Sequence, residues 1–196
     1  MCPAIPVSEA SPNDGQRAEA HGGPLVVPPS APLDLPSALR TAIERSPSAA
    51  ITHLGHDLAP RRQSYAALAD EATEILAGLL KAGAHPGDLV LTQLASAADY
   101  FPALWAGLLV GMVPVPLSVP ASYEEPGAAT ERVRAVWQML ERPIVLARGE
   151  SRDDIVKLLG PELPPNVVMV VEELREARAE ISWHEPRPAD TALMLG

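Results

Sequence analysis

"DYFPALWAGLLVGMVPVPL", Asp99 to Leu117, is the stretch whose reading decides the fold. No residue from Tyr100 to Tyr123 carries a formal charge, and on length alone such a run is a candidate membrane span. The prolines argue against one. Pro102 suits the start of a helix, but Pro114, Pro116 and Pro120 each lack the N–H that a continuous helix needs. Phe101 to Gly111 makes about 16 Å of helix at ~1.5 Å per residue, roughly half of a ~30 Å bilayer core. The stretch therefore reads as a buried helix, a tight turn at Gly111 and a short strand, "VPVPL". The G-x-x-x-G spacing of Gly107 and Gly111 fits a helix that approaches its sheet closely.

Outward from this unit, helices and strands alternate. On the N-terminal side, Asp34 can cap a helix that tolerates Pro36 in its first turn, with Leu35, Leu39, Ala42 and Ile43 on one face and Ser46-Pro47 as its stop. Ala49 to Leu54 is a possible strand, followed by "GHDLAPRR" as a loop. Ser64 then caps a helix whose Leu68, Ala72, Ile75, Leu76, Leu79 and Leu80 keep the 3.6-residue period, with Gly83 placed for a C-terminal cap. "HPGD" is a turn and "LVLTQL" a strand.

On the C-terminal side, Thr130 to Leu140 is a helix with Val133, Val136, Trp137 and Leu140 inward, and "PIVLA" is a strand. Ser151 to Leu159 is a helix with Ser151 and Asp154 at capping-box spacing. "NVVMVV" is a strand, Glu172 to Glu180 a charged helix, and Thr191 to Leu195 a last apolar strand. Short, near-continuously apolar strands between helices predict an α/β fold with a mostly parallel sheet covered on both faces. Residues 1–33 are rich in Pro, Ser, Gly and Ala without periodicity and read as a flexible leader, leaving 34–196 as the folded part.

Composition narrows the function. With 47% hydrophobic and 20% charged residues, 196 residues can build a core of ordinary size. A formal charge of −10, 4% aromatics and no Lys/Arg cluster argue against nucleic-acid binding and against anionic membrane surfaces. The lone cysteine, Cys2, excludes an internal disulfide and a CxxC knuckle. The start lacks a secretory signal pattern, so a cytoplasmic location is expected.

The motifs of chemistry are missing. There is no G-x-x-x-x-G-K-[ST] loop, no G-x-G-x-x-G turn and no G-x-S-x-G elbow. His53 and His56 have H-x-x-H spacing, but on a strand that spacing sends them to opposite faces and no third ligand is near. His21, His85 and His184 read as isolated, solvated loop residues. Glu124-Glu125, Asp153-Asp154 and Glu172-Glu173 are neighbours that diverge on any regular element, so each reads as a solvated edge or helix-start charge. No catalytic, cofactor-binding or metal-binding residue is assigned.

Several stretches resemble the beginning of the adenylate-forming (acyl- and aminoacyl-AMP) ligases. "SYAALADEATEILAGLLKAGAHPGDLVLTQL" is similar to that family's early helix, Gly turn and strand. "DYFPALWAGLLVGMVPVPL" is similar to its next helix and strand, and "PADTALMLG" to the strand leading into its Thr-Ser-Gly phosphate-binding loop. "VPLSVPASYEEPGAATERVRAVWQMLERPIVLA" narrows the likeness to the acyl-activating adenylation domains of polyketide and nonribosomal-peptide assembly lines. The resemblance covers roughly Leu35 to Gly196. It implies the N-terminal lobe of the large, AMP-binding domain, ending before the phosphate-binding loop.

The resemblance also implies an intact enzyme that uses ATP and Mg to activate a carboxylic acid and hands the acyl group to a carrier-protein thiol. This chain alone is then expected to bind no cofactor and to be inactive. Its partners would be the remainder of the adenylation domain and a downstream carrier protein, and it would self-associate through edge pairing or an apolar patch. Two other readings stand beside this one: a short, non-catalytic interaction domain with the front half of the fold, and an unrelated doubly wound domain binding a small ligand at its strand ends. Deleting residues 1–33 is expected to leave the thermal midpoint unchanged. A drop beyond about 4 °C, roughly 1 kcal/mol for a domain of this size, would show that the leader packs on the core.

Overall fold

A computed structural model describes residues 22–24, 26–54, 59–160, 163–164, 166–175 and 181–195. The expected leader lies mostly outside the described residues, and the main compact unit runs from Pro32 to Gly196. Within it the elements are α1 (Leu35–Arg45), β1 (Ala50–Leu54), β2 (Pro60–Ser64), α2 (Tyr65–Lys81), β3 (Leu89–Gln93), α3 (Ala97–Val110), β4 (Val113–Pro116), α4 (Ala128–Met139), β5 (Ile144–Ala147), α5 (Arg152–Leu159), β6 (Val168–Val170) and α6 (Val171–Leu174).

Four strands form a parallel sheet in the order β4-β3-β5-β6. Alternate residues face opposite ways, and each face meets helices. On one face Val90, Leu146 and Met169 join Ile75, Leu76 and Leu79 of α2 and Ala103, Ala106 and Leu109 of α3. On the other, Leu91, Val145 and Val168 join Val133 and Trp137 of α4 and Ile155 and Leu159 of α5. The fold is α/β with a doubly covered parallel sheet, the N-terminal-lobe architecture that the resemblance implies.

Local signals place the helices. The Asp34 carboxylate accepts from Ser37 N and Ser37 Oγ, both at 2.7 Å, and starts α1. Ser64 Oγ accepts from Ala67 N at 3.1 Å and starts α2, which Gly83 ends at φ 92°. A Cβ on Gly107 would stand 3.0 Å from Pro114 Cγ and 3.5 Å from Val90 Cγ1, so this glycine does let α3 lie close on its sheet. Among the described residues no helix is long and apolar enough to cross a membrane.

The structure corrects the sequence reading in several places. "PRRQS" is a strand rather than part of a loop, paired antiparallel to β1 from Ala50↔Ser64 to Leu54↔Pro60. Its residues are mostly exposed, so backbone pairing rather than apolar alternation holds it. Helix α3 begins at Ala97, which puts Pro102 inside it rather than at its start. Ser151 makes no capping bond because a 3-10 turn, Gly149–Ser151, feeds α5 directly and leaves Ser151 in helical backbone geometry. The strand in "NVVMVV" is confined to Val168–Val170, since Asn166 turns at φ 64° and Val171 already opens α6. The charged helix is described only to Leu174, and residues 176–180 lie outside the described residues.

Thr191 to Leu195 forms no strand of the sheet, and it is exposed. Beside it is β4, whose Val113 N donates to Asp88 O toward β3 and whose Pro114 therefore faces outward. With Pro114 and Pro116 on that edge, β4 offers carbonyls and no N–H groups. Only Met194 N donates across, to Pro114 O at 3.1 Å. One bond does not make a ladder.

Gly78 gives a sharp test of packing. A Cβ there would lie 2.6 Å from Leu174 O and 2.7 Å from Leu174 Cα, so α6 sits directly on the α2 backbone. Gly→Ala inside an exposed helix gains about 1 kcal/mol. Gly78→Ala is expected to reverse that sign and lose about 1–3 kcal/mol through overpacking, measured by urea unfolding. A stabilised variant would contradict this packing.

Candidate functional site

Ligand crevices in open parallel sheets form beyond the carboxyl ends of the strands, where successive connections leave for opposite faces. Here α3 follows β3 onto one face and α5 follows β5 onto the other, so the crevice lies beyond Gln93 and Ala147. The β1–β2 hairpin stands beside it. A cleft of roughly 580 Å³ results, lined by His53, Arg61, Ser96, Ala97, Arg148 and Glu150 among others.

An ion-pair network reaches this cleft through Arg61 and Arg148. The Asp99 carboxylate, in the first turn of α3 and 13% exposed, accepts from Arg175 Nη1 at 3.0 Å and from Arg148 Nη1 at 3.3 Å. Arg148 Nε also donates to Glu172 Oε1 at 3.1 Å. Glu71 of α2 lies 3.8 Å from Arg175 and accepts from Arg61 Nη2 at 3.3 Å and from Gln63 Nε2 at 2.8 Å. Gln63 Oε1 in turn meets His53 Nε2 at 2.8 Å. One connected set of polar contacts thus ties the hairpin, α2, α3, the turn after β5 and α6.

A second anchor lies at the end of β3. Tyr123 O–H donates to Gln93 Oε1 at 2.9 Å, and Gln93 Nε2 donates to Thr92 O and Leu117 O. Burial pushes the Tyr123 phenol up to about 12. This pair holds the loop after β4 against the crevice.

The residues singled out in the sequence fall as follows. His53 is 6% exposed and its Nε2 meets Gln63 Oε1, while His56 and His21 lie outside the described residues. His184 is not solvated as expected: its ring covers Gly111, where a Cβ would stand 2.6 Å from His184 Cδ2, and its N donates to Leu109 O at 2.8 Å. His85 is exposed beside Asp88. Of the acidic pairs, Asp154 meets Lys157, while Glu172 and Glu173 turn to different arginines, Arg148 and Arg152. Asp99, Arg148 and Arg175 were missed. Their contacts span 49 and 76 residues, and no local spacing rule carries such pairs.

No protein-family profile matches the chain. Solved structures do. McyG A-PCP, complexed with phenylalanyl-adenylate, is 34% identical, with 83% of this chain matched to 26% of that one at a TM-score of 0.75. The adenylation domain of a keto acid-selecting nonribosomal-peptide synthetase module, bound to keto acyl adenylate, is 26% identical, with 84% of this chain matched to 30% of that one at a TM-score of 0.74. This chain belongs to the adenylate-forming ligase superfamily. A fatty acyl-adenylate ligase from L. pneumophila, in complex with acyl adenylate and pyrophosphate, shares the fold at 22% identity and a TM-score of 0.63, with 82% of this chain matched to 27% of that one. The chain spans about a quarter to a third of the length of these adenylate-forming proteins.

Two outcomes are expected from the network. Asp99→Asn keeps the shape but removes the charge between two arginines, and should cost about 1.5–3 kcal/mol in urea unfolding, the range for hydrogen bonds to charged groups. A loss below about 0.5 kcal/mol would mean the network is ornamental. The Tyr123 phenol titrates near 10 when unfolded and about 12 when folded. The unfolded chain therefore binds fewer protons between those values, and stability is full below pH 10 and falls as pH rises toward 12. Tyr123→Phe should show a shallower alkaline loss than the parent. Equal slopes would contradict the burial.

Proposed function

We propose that this chain forms the first lobe of the large domain of an acyl-adenylating enzyme, which in intact form activates a carboxylic acid as acyl-AMP and transfers it to a carrier-protein thiol. The observation that carries the reading is the match of 83% of the chain to McyG A-PCP at 34% identity. The similar structures include an A-PCP pair and a module holding adenylation, ketoreductase and pseudo Asub domains, which supports the remainder of an adenylation domain and a carrier protein as partners. A cytoplasmic location goes with dependence on ATP.

ATP and Mg belong to the intact enzyme in this reading, because this chain's own residues do not fit a triphosphate. The sequence has no Gly-rich phosphate loop, and its two lysines lie elsewhere: Lys157 pairs with Asp154, and Lys81 ends α2. Among the described residues no group of three or more His, Cys, Asp or Glu could hold a metal ion. No catalytic step is assigned to this lobe. Its role is to position the rest of the site. Leu193, Met194 and Leu195, 39%, 37% and 78% exposed, give the isolated chain an apolar strip for self-association.

Calorimetry with Mg-ATP and the isolated chain is expected to show no binding at micromolar affinity, about −8 kcal/mol. A polypeptide joining this lobe to the remainder of an adenylation domain should catalyse acid-dependent exchange of pyrophosphate into ATP. Micromolar ATP binding by the isolated chain, or no exchange with any carboxylic acid by the folded longer polypeptide, would overturn the reading.

A further inference from the structure

The two ends of the parallel sheet differ in kind. Beyond the carboxyl ends of the strands the charges are already matched, with Asp99, Glu71, Glu172 and Glu150 against Arg61, Arg148 and Arg175. At the opposite end Gly111 and Met112 lead from α3 into β4. A cavity of roughly 390 Å³ opens there between residues 32–38 and residues 184–192, lined by Leu108, Met112, Pro36 and Pro186 among others. Its polar groups are committed elsewhere. Both Asp34 oxygens accept from Ser37 at 2.7 Å, and Asp190 Oδ2 accepts from Arg187 N at 2.7 Å and lies 3.8 Å from His184 Nε2. Among the described residues that line it, no buried side-chain atom lacks a partner. Nothing in the cavity calls for an ion or would orient a small polar ligand.

The surface around this cavity is apolar. Leu33 and Leu35, 91% and 42% exposed, belong to one lining segment, and Leu193, Met194 and Leu195 continue from Thr191 and Ala192 of the other. The other exposed large apolar residues from Pro32 onward, Leu54, Leu80 and Met139, stand singly on β1, α2 and α4. Single residues of that kind need no explanation, whereas a cluster marks an interface. Permanent interfaces resemble a core cut in half, and transient ones are more polar. The permanent partner of a lobe is the rest of its own domain. This chain is matched to only 26% and 30% of two adenylating chains, so most of such a protein lies outside it. A second copy could cover the cluster only against the repulsion between two chains of formal charge −10.

We propose that this cavity and the leucines around it are the docking surface for the remainder of the adenylation domain, which fills the cavity with an apolar side chain. The lobe is then gripped at the end of the sheet away from the crevice. This inference rests on the reading of the chain as one lobe of an adenylating enzyme.

Hydroxyl-radical footprinting read by mass spectrometry compares the isolated chain with the longer polypeptide of the preceding subsection, both at about 1 µM, too dilute for a weakly associating second copy to bind. Leu33, Leu35 and Met194 are expected to react about fivefold more slowly in the longer polypeptide, as in the core of an interface, while Leu54 and Met139 react equally in both. Leu33→Asp is expected to leave the thermal midpoint of the isolated chain within about 1 °C and to lower that of the longer polypeptide by about 2 °C or more. Equal reactivity of the cluster in the two proteins would overturn the proposal, whether the surface stays open or a second copy already covers it. So would protection of Leu54 or Met139 in place of the cluster, or an equal effect of Leu33→Asp in both. Pyrophosphate exchange by the longer polypeptide is scored separately. Exchange with an unprotected cluster removes the docking surface alone, and a protected cluster without exchange removes the adenylation reading alone.

Discussion

Burial of the parallel sheet on both faces is the constraint from which the rest follows. Val90 and Leu91 are adjacent on β3, point to opposite faces and are each 0% exposed. A strand in that position is apolar where helices cover it above and below, and its buried polar residues, Thr92 and Gln93, fall at its carboxyl end beside the crevice. The two helix layers are therefore obligatory. Their connections must leave β3 and β5 toward opposite faces, which opens the crevice at the carboxyl ends. The site is a consequence of the sheet's coverage.

The polar network is built on that frame. Asp99 stands at the start of α3, Arg148 just after β5 and Arg175 at the end of α6, the short helix that follows β6, and the three meet in one network. None could meet the others without β3, β5 and β6 in register. The network carries that register outward to the hairpin through Glu71 and Gln63. Surface ion pairs contribute little by themselves, but a mostly buried carboxylate shared by two guanidinium groups fixes geometry. Loss of one partner leaves the others exposed to the full cost of desolvation.

The legible part of the fold was the part set by local rules. The caps at Asp34 and Ser64, the turn at Gly83 and the close approach at Gly107 all lie within one element or one turn, and the sequence exposes them directly. Strand β2 was hidden because "PRRQS" has no apolar pattern, and its only reason to be extended is its neighbour. The extra strand at Thr191 to Leu195 was read into the sequence because it is apolar. Whether an apolar stretch joins a sheet depends on the edge it meets, and that edge carries Pro114 and Pro116. The cleft was illegible for the same reason as the network. His53, Ser96 and Arg148 come from three separate parts of the chain, and only the topology unites them.

Native-state hydrogen exchange tests most directly whether the doubly covered sheet is the foundation and the hairpin and cleft its dependents. The amides of Leu91 and Val145, and of Val115 on the β3-facing side of β4, are expected to exchange only through global unfolding, whereas those of Thr52 and Arg62 in the hairpin exchange through smaller openings at lower free energy. A hairpin as protected as the sheet, or a sheet that opens first, would contradict the account.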